Sequence, residues 1–245
     1  MQIYLDNAST TPTDPLVIEA MLPYFNQNFG NPESRHSEGI KVKVALDKAR
    51  NSVAKSFNCQ AREVIFTGSA TEANNLIILG AARANQKKGK HLITTEIEHS
   101  SVYNCFKQLE KEGFKVTYLK PTEEGFINAE QLEAAITKET TLCSIIYAQN
   151  EFGTIQNIPE LGKICQEKNV LFHTDACQAA ASLDLDKEKL NADFISINGS
   201  KIYGPKGVGA FFVNSRLLSN KQIEAQIFGG KQEQGLRPGT QNIPA

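Results

Sequence analysis

The sequence lacks an excess of charge of either sign. Its 26 basic and 27 acidic side chains leave a formal net charge of −1 over 245 residues. A protein that binds a polyanion through electrostatics carries a clear basic surplus. The balance therefore excludes charge-driven nucleic-acid binding, and we expect a small-molecule partner.

Paired-cysteine motifs and membrane signals are also missing. The five cysteines are odd in number and contain no CxxC pair, which fits a reducing compartment and small buried thiols. No basic stretch followed by an apolar one opens the sequence, and no run approaches the ~18 apolar residues of a membrane span. We expect a soluble, cytoplasmic protein with no membrane partner.

Signatures of metal and nucleotide binding are absent as well. The four histidines lack the spacing of a metal site, so no metal is expected. Residues 68–72 read Gly-Ser-Ala-Thr-Glu, without the lysine of a P-loop, which disfavours a nucleoside triphosphate.

What the sequence does contain is an alternation of strand and helix patterns. Short apolar runs rich in β-branched and aromatic residues predict strands at 64–67, 92–95, 116–119, 142–147, 170–174, 194–197 and 210–213. Apolar stripes from Val42 to Val53 and from Leu132 to Ile136, and the proline after Ile158, predict helices between them. We predict an α/β fold: a mostly parallel seven-stranded sheet sandwiched by helices.

Ligands of such sheets collect beyond the carboxyl ends of the strands, so the residues there are candidates for chemistry. Ala70 and Thr71 begin a helix directly after the first strand, where free backbone N–H groups and the helix dipole favour a phosphate. An ordinary helix cap at Ser69 with an acidic first turn is the alternative.

Two later strand ends carry a carboxylate and an amine. Asp175 ends the fifth strand, where a buried carboxylate needs a cationic partner such as a pyridinium nitrogen. An aspartate that caps the next helix is the alternative. Lys201 follows the sixth strand among small residues, and a desolvated lysine forms a Schiff base with an aldehyde cofactor. A solvated surface lysine is the alternative there.

Together these segments resemble the NifS/IscS cysteine desulfurases, which belong to the fold-type I, class V aminotransferase group of pyridoxal 5′-phosphate (PLP) enzymes. The resemblance covers nearly the whole chain. It is carried by residues 4–12, 30–32, 70–75, 98–99, 150–151, 173–175, 201–207 and 237–240.

The resemblance implies roles around the cofactor ring. Lys201 resembles the lysine that binds PLP covalently, and Asp175 resembles the partner of the ring nitrogen. Gln178 and Asn150 resemble the contacts to the ring hydroxyl. His99 resembles the imidazole that stacks on the ring and moves protons in catalysis, and a helix-cap histidine is the alternative.

The resemblance also implies a phosphate site and a homodimer. Ala70 and Thr71 resemble the phosphate cradle, and Thr240 resembles the threonine that reaches the phosphate of the partner subunit. The family has serine and histidine three and one residues before its lysine, whereas this chain has Asn198 and Ser200. Both can still hydrogen-bond a phosphate, so we expect a changed cofactor affinity and an unchanged reaction type.

The implied activity is conversion of L-cysteine to L-alanine and an enzyme persulfide, which supplies sulfur to an acceptor or scaffold protein for iron–sulfur clusters or tRNA thiolation. Residues 16–245 correspond to the PLP-binding large domain, and residues 1–15 are expected to pack on a smaller domain. In the family that domain supplies the nucleophilic cysteine and a substrate-binding arginine, which are assigned to no residue here. We therefore expect the 245 residues to bind PLP and to release little or no sulfur.

Two alternatives remain open at the level of sequence. Selenocysteine lyase or another class V aminotransferase-type activity uses the same ring-binding residues. A non-catalytic, truncated PLP-binding or dimerisation module is the second, and the unusual Asn198 and Ser200 lend it weight.

Overall fold

Seven strands form one sheet in the computed structural model, which describes residues 3–245. The predicted mostly parallel α/β sheet is therefore confirmed. The strands are β1 (Val64–Thr67), β2 (His91–Thr95), β3 (Lys115–Leu119), β4 (Thr140–Ser144), β5 (Leu171–Asp175), β6 (Phe194–Asn198) and β7 (Gly209–Val213).

The strand order across the sheet is β1-β7-β6-β5-β4-β2-β3. Strand β7 runs antiparallel to both of its neighbours, and the other pairs are parallel. A separate hydrophobic core covers each face of the sheet, and successive residues of a strand pack in alternate cores: Leu92 lies in one and Ile93 in the other. Because both faces are covered, the strands are continuous apolar runs instead of alternating ones.

Nine α-helices lie among residues 3–245, and the three helices predicted from apolar stripes and proline are present. Their starts follow the usual capping chemistry, as where the Ser69 hydroxyl accepts the Glu72 backbone N–H at the start of the fourth helix. The helices are α1 (Pro15–Met21), α2 (Pro23–Asn26), α3 (Ser37–Ser56), α4 (Ala70–Asn85), α5 (Ser100–Lys111), α6 (Ala129–Ala135), α7 (Ile158–Glu167), α8 (Lys187–Leu190) and α9 (Ser215–Ser219).

Strand β4 is shorter than predicted. The apolar run at 142–147 predicts a strand to Tyr147, but β4 ends at Ser144. On one side the run still bonds to β5, since the Tyr147 N–H donates to the Asp175 carbonyl at 2.9 Å. On the other side β2 has ended, and the Ile146 N–H donates to the Glu98 carboxyl at 2.9 Å. The Glu98 side chain thus takes the place of β2 as the partner of this backbone, and the hydrogen-bond ladder between β4 and β2 stops.

The N-terminal segment crosses the carboxyl end of the sheet. The Thr11 N–H donates to the Ser200 carbonyl at 2.8 Å, and the Asp14 N–H donates to the Tyr203 carbonyl at 2.9 Å. Residues 1 and 2 of the predicted 1–15 segment lie outside the described residues, and its packing on a second domain stays a prediction. From residue 3 to residue 245 no helix has the length and apolarity needed to cross a bilayer.

Candidate active site

A cavity of about 560 Å³ lies beyond the carboxyl ends of the parallel strands. Its wall brings together residues that follow β1, β2, β4, β5 and β6, as the rule for parallel sheets predicts. It includes nine of the ten predicted site residues: Ala70, Thr71, His99, Asn150, Asp175, Gln178, Asn198, Ser200 and Lys201. Thr240 is exposed and does not line this cavity.

One end of the cavity is formed by the start of helix α4. The Ala70 backbone N–H points to the Asn198 side-chain oxygen at 3.3 Å, and the Asn198 amide donates to the Ser200 hydroxyl at 2.8 Å. Thr71 adds a second hydroxyl to the cavity wall. The helix dipole and these N–H and O–H groups make this end favourable for an anion.

The Asp175 carboxyl lies on the floor of the cavity and is 3% exposed. One oxygen accepts the Asn74 amide at 2.8 Å, and the other accepts the Cys177 backbone N–H at 3.0 Å. Within residues 3–245 no lysine, arginine or histidine forms an ion pair with it. The carboxylate is thus held by neutral donors beside the cavity, where a cationic ligand atom would complete its charge balance.

A buried polar network continues behind Asp175. Asn74 donates to the Ser101 hydroxyl at 2.9 Å and accepts from the Ser196 hydroxyl at 2.6 Å. His173 links Ser196, at 3.3 Å, to the Ser144 hydroxyl, at 2.8 Å. Burial lowers the pKa of His173 to about 4, so this imidazole is neutral near pH 7.

His99 caps helix α5 and lines the cavity at once. Its Nδ1 accepts the Ser101 backbone N–H at 3.1 Å and lies 2.8 Å from the Ser101 hydroxyl. Among the described residues, Nε2 has no hydrogen-bond partner. The helix-cap interpretation and the functional one therefore apply to different ring nitrogens.

The Lys201 amine is held by the N-terminal segment. It donates to the Ala8 carbonyl and, at 2.8 Å, to the Ser9 carbonyl. Gln178 donates to the same Ala8 carbonyl at 2.6 Å. Lys201 is partly buried and lines the same cavity as Asp175.

Glu98 is a buried acid that the sequence analysis did not single out. One carboxyl oxygen accepts the Thr95 hydroxyl at 2.8 Å and the Ile146 N–H at 2.9 Å, while the other is buried without a partner. Burial, and to a smaller degree the charge of Asp175, raises the pKa of Glu98 to about 8. Glu98 is therefore largely protonated at neutral pH and fastens the turn before His99 to the end of β4.

Burial favours the neutral thiol form of three cysteines, of which Cys177 lines the cavity. Burial raises the pKa of Cys177 well above its ordinary value, with the charge of Asp175 acting in the same direction. Burial likewise raises the pKa values of Cys59 and Cys105 to about 12. These thiols stay protonated and are poor nucleophiles, as expected for small packed side chains.

Sequence reasoning assigned no role to Asn74, Ser101, Ser196 and Glu98, although Asn74 and Glu98 lie in segments that carry the family resemblance. One signal was available for Asn74, because it falls on the apolar stripe of α4 with Ile77 and Ala81 and is 0% exposed. An amide in such a stripe needs buried partners. The serines and Glu98 gave no comparable signal, since their roles depend on which strands become neighbours.

The comparisons with known proteins agree with one another. The sequence profile described as Aminotransferase class-V matches residues 3–243. A cysteine desulfurase IscS of Clostridium botulinum (strain Hall) is 48% identical over 241 residues, which cover 98% of this chain and 60% of the relative. The cysteine desulfurase IscS of Shewanella sp. (strain W3-18-1) is also 48% identical, over 243 residues, again 98% and 60%.

Solved structures give the same result. "SspA in complex with cysteine" superposes with a TM-score of 0.95 at 42% identity, covering 99% of this chain and 70% of that one. A "NIFS-LIKE PROTEIN" superposes with a TM-score of 0.95 at 39% identity, covering 100% and 66%. The chain spans about 60% of the length of the curated relatives it matches. By its sequence, its sheet and the residues round its cavity, it belongs to the class V aminotransferase family.

Proposed function

We propose that this chain is the PLP-binding domain of a cysteine desulfurase, with Lys201 as the lysine that binds the cofactor. The observation that carries the proposal is the single cavity that contains the Lys201 side chain, the Asp175 carboxyl and the start of helix α4. An amine, a buried carboxylate and an anion-binding helix start are complementary to the aldehyde, the ring nitrogen and the phosphate of PLP.

The donor set fits this cofactor. Asp175 is buried among neutral donors, so a protonated ring nitrogen would supply its missing cation. The hydroxyls of Thr71 and Ser200 would bind the phosphate, and so would the Ala70 N–H once it exchanges the Asn198 oxygen for a phosphate oxygen. When bound, PLP supplies an aldehyde that reacts with amines and a ring that accepts the electrons of a carbanion.

The residues of the chain have separate tasks in this proposal. Asp175 keeps the ring nitrogen charged, and Asn150 and Gln178 orient the ring through its hydroxyl. The Lys201 amine would move a proton to and from the substrate, and the Nε2 atom of His99, which faces the same cavity, would move a second one. Lys201 must first leave the carbonyls of Ala8 and Ser9, to which it now donates.

Asn198 and Ser200 replace the serine and histidine of the family pattern. Asn198 is already bonded to the Ala70 N–H and to Ser200, so it closes the phosphate end of the cavity without adding charge. We propose that the phosphate is bound by neutral donors here. This changes cofactor affinity and leaves the reaction type unchanged.

The substrate of the whole protein is proposed to be L-cysteine, which gives L-alanine and a persulfide. The support is the 48% identity to proteins named cysteine desulfurase and the superposition on a structure solved with cysteine. The described cysteines whose pKa values are raised, including Cys177 in the cavity wall, stay protonated and do not provide the attacking thiolate. We propose a nucleophile from the family's smaller domain, and iron–sulfur or tRNA-thiolation proteins as acceptors.

A cytoplasmic homodimer is part of the proposal. Thr240 is exposed and does not line the cavity of its own chain, which fits a threonine that contacts the phosphate in a partner subunit. The exposed Ile227 and Phe228, at 41% and 88%, precede it in the same segment and offer apolar surface to a second copy.

Incubation of the 245-residue chain with PLP tests the proposal. We expect an absorbance band of lysine-bound cofactor and, after borohydride reduction, the cofactor mass on the peptide that contains Lys201. Lys201→Ala should abolish both signals. Lys206→Ala is the matched control, since Lys206 is an exposed lysine five residues later, and it should leave both unchanged.

Persistence of the band in Lys201→Ala, or its absence from the unaltered chain, would overturn the assignment. Sulfide release from L-cysteine should be weak or absent with the 245 residues alone. Sedimentation of the same preparation reports whether two copies associate.

A further inference from the structure

Asn74 occupies the junction between the two sides of the candidate site. It is 0% exposed in the interior of helix α4 and contacts Asp175, Ser101 and Ser196. Its three bonds use two N–H donors and one carbonyl acceptor. No sequence motif or relative named above assigns a role to this amide.

The direction of each hydrogen bond follows from the Asp175 carboxylate. An ionised carboxylate only accepts, so the Asn74 side chain must present its NH₂ to Asp175 at 2.8 Å. The same NH₂ donates to the Ser101 oxygen at 2.9 Å, while the Asn74 carbonyl accepts the Ser196 hydroxyl at 2.6 Å. With its oxygen occupied as an acceptor, Ser101 directs its own proton elsewhere.

That proton reaches His99. The Ser101 hydroxyl lies 2.8 Å from His99 Nδ1, and the Ser101 backbone N–H donates to the same nitrogen at 3.1 Å. Two donors at one ring nitrogen require an unprotonated Nδ1, so the proton of the neutral imidazole resides on Nε2.

We propose that Asn74 is a positioning residue: held in one orientation by Asp175, it directs the Ser101 hydroxyl to Nδ1 of His99, where this hydroxyl joins the Ser101 backbone N–H and reinforces the Nε2–H tautomer. The inference rests on the proposed function for its use, since His99 then presents an Nε2–H group to the cavity while Asp175 faces the ring nitrogen. The other titratable neighbour of the network, His173, is neutral and buried, so Asp175 is the charge that orients it.

Only an amide meets all three demands at position 74. A carboxyl group in its place has at most one proton, which goes to the carboxylate of Asp175, and it then accepts from both serines. The Ser101 hydroxyl would turn from His99 toward position 74. Asn74→Asp therefore reverses one bond while it preserves the shape of the side chain.

Nitrogen-15 spectra of the histidine-labelled 245-residue chain, recorded without cofactor at about pH 8.5, above the ordinary titration range of histidine, test the proposal. His99→Gln assigns the signals. In the unaltered chain we expect the Nε2–H tautomer, with Nδ1 at the position of a hydrogen-bonded acceptor. In Asn74→Asp the Nδ1 signal should move toward the position of a more weakly hydrogen-bonded acceptor, because only the Ser101 backbone N–H still donates to it.

Ser101→Ala removes the hydroxyl, leaves Asp175 and Asn74 untouched, and should shift Nδ1 toward the value of a more weakly bonded acceptor. It decides the question if Asn74→Asp fails to fold. Asn75→Asp is the matched control, because Asn75 donates only to the Thr71 carbonyl on the helix surface, and it should leave the spectrum unchanged.

An Nδ1–H tautomer in the unaltered chain would overturn the proposal, as would a His99 spectrum that is unchanged in Ser101→Ala. The measurement needs no PLP. A failure of cofactor capture and a failure of this inference are therefore separate results.

Discussion

At the scale of single residues, Glu98 is the clearest case of a group whose state is set by burial. Its carboxyl accepts the Thr95 hydroxyl and the Ile146 N–H with one oxygen and leaves the other without a partner. A buried carboxylate in that position would lose its hydration and face the nearby charge of Asp175. The protonated form avoids both costs.

This state makes the stability of the domain depend on pH. Burial raises the folded-state pKa of Glu98 from 4.5 to about 8, so between those values the folded chain holds a proton that the unfolded chain has lost. The stabilisation is complete at acidic pH and declines as pH rises toward 8. We expect Glu98→Gln to remove this decline, with a relative gain on the order of 4 kcal/mol between about pH 5 and pH 8.5.

Urea unfolding of both proteins over that pH range measures the effect. His173, whose pKa burial lowers, shifts stability in the opposite direction below pH 6.5, but it does so equally in the two proteins and cancels in the difference. Glu96→Gln is the control, since Glu96 is an exposed neighbour on the same turn. Unfolding curves that stay parallel for Glu98→Gln and the unaltered chain would contradict the assignment.

The sequence alone predicted nine of the residues that line the cavity. Lys201 and Asp175 were predicted because they follow strands that had to be parallel, and parallel strands end at one edge. The roles of Asn74 and Ser101 were not predicted, because the role of a polar residue inside a helix depends on which side chain of another element it contacts. That contact depends on packing that no local pattern encodes.

At the scale of elements, strand β7 and the start of helix α4 approach each other unusually closely. A Cβ atom at Gly209 would lie 2.6 Å from the Ser69 backbone carbon and 2.9 Å from the Ala70 nitrogen. Because both neighbours are backbone atoms, the turn before α4 must move to admit any side chain. Glycine at this position lets the antiparallel strand support the proposed phosphate site.

Gly209→Ala should therefore weaken PLP binding. We expect an increase of about tenfold in Kd, or about 1.4 kcal/mol, from displacement of the Ala70 N–H, measured by fluorescence titration with PLP. Gly113→Ala is the control for the loss of a glycine. The positive φ of 85° at this position strains an alanine, but the added Cβ atom would have no neighbour within 4 Å. This substitution should lower the melting temperature and leave the Kd unchanged, and an unchanged Kd in Gly209→Ala would show that this turn does not position the phosphate.

The elements themselves were largely predictable, and the one clear error is instructive. The apolar run at 142–147 looked like one strand because all its residues are buried on both faces. Its second half loses its neighbour on one side because β2 ends at Thr95, and the Glu98 carboxyl takes the free N–H of Ile146. Strand bounds depend on which backbone partners continue beside the run, and composition reports only burial.

At the scale of the molecule, Arg50 and Glu233 join the first long helix to the last segment of the chain. Two N–O contacts of 2.6 Å connect the side chains, and Glu233 also accepts the Phe66 backbone N–H of β1 at 2.8 Å. The Glu233 side chain is 1% exposed. The stability of such a buried carboxylate depends on the Arg50 guanidinium, because water cannot reach the carboxylate to solvate its charge if the guanidinium is lost.

Arg50→Met should destabilise the domain by about 3 kcal/mol, because it leaves a buried charge unpaired. Methionine keeps the packing on the Phe66 ring, over which the guanidinium lies at 4.7 Å. Lys43→Ala is the control, since it breaks the exposed pair with Asp47 and should cost less than about 1 kcal/mol. Urea unfolding measures the loss in the free energy of unfolding for each variant. Equal losses would show that the buried pair contributes no more to stability than the exposed one.

The strand order has a consequence for a chain that is still being synthesised. Of the seven strands within residues 3–245, β1 is synthesised before the others, and its one neighbour in this sheet, β7, is synthesised after the other six; the bond between the Ala70 N–H and Asn198 spans 128 positions. The start of helix α4, which forms the proposed phosphate site, therefore cannot take its final position until β7 pairs with both β1 and β6. If the chain binds PLP as proposed, cofactor binding would report that β7 has joined the sheet, and nascent chains stalled before β7 should show no absorbance band of lysine-bound cofactor.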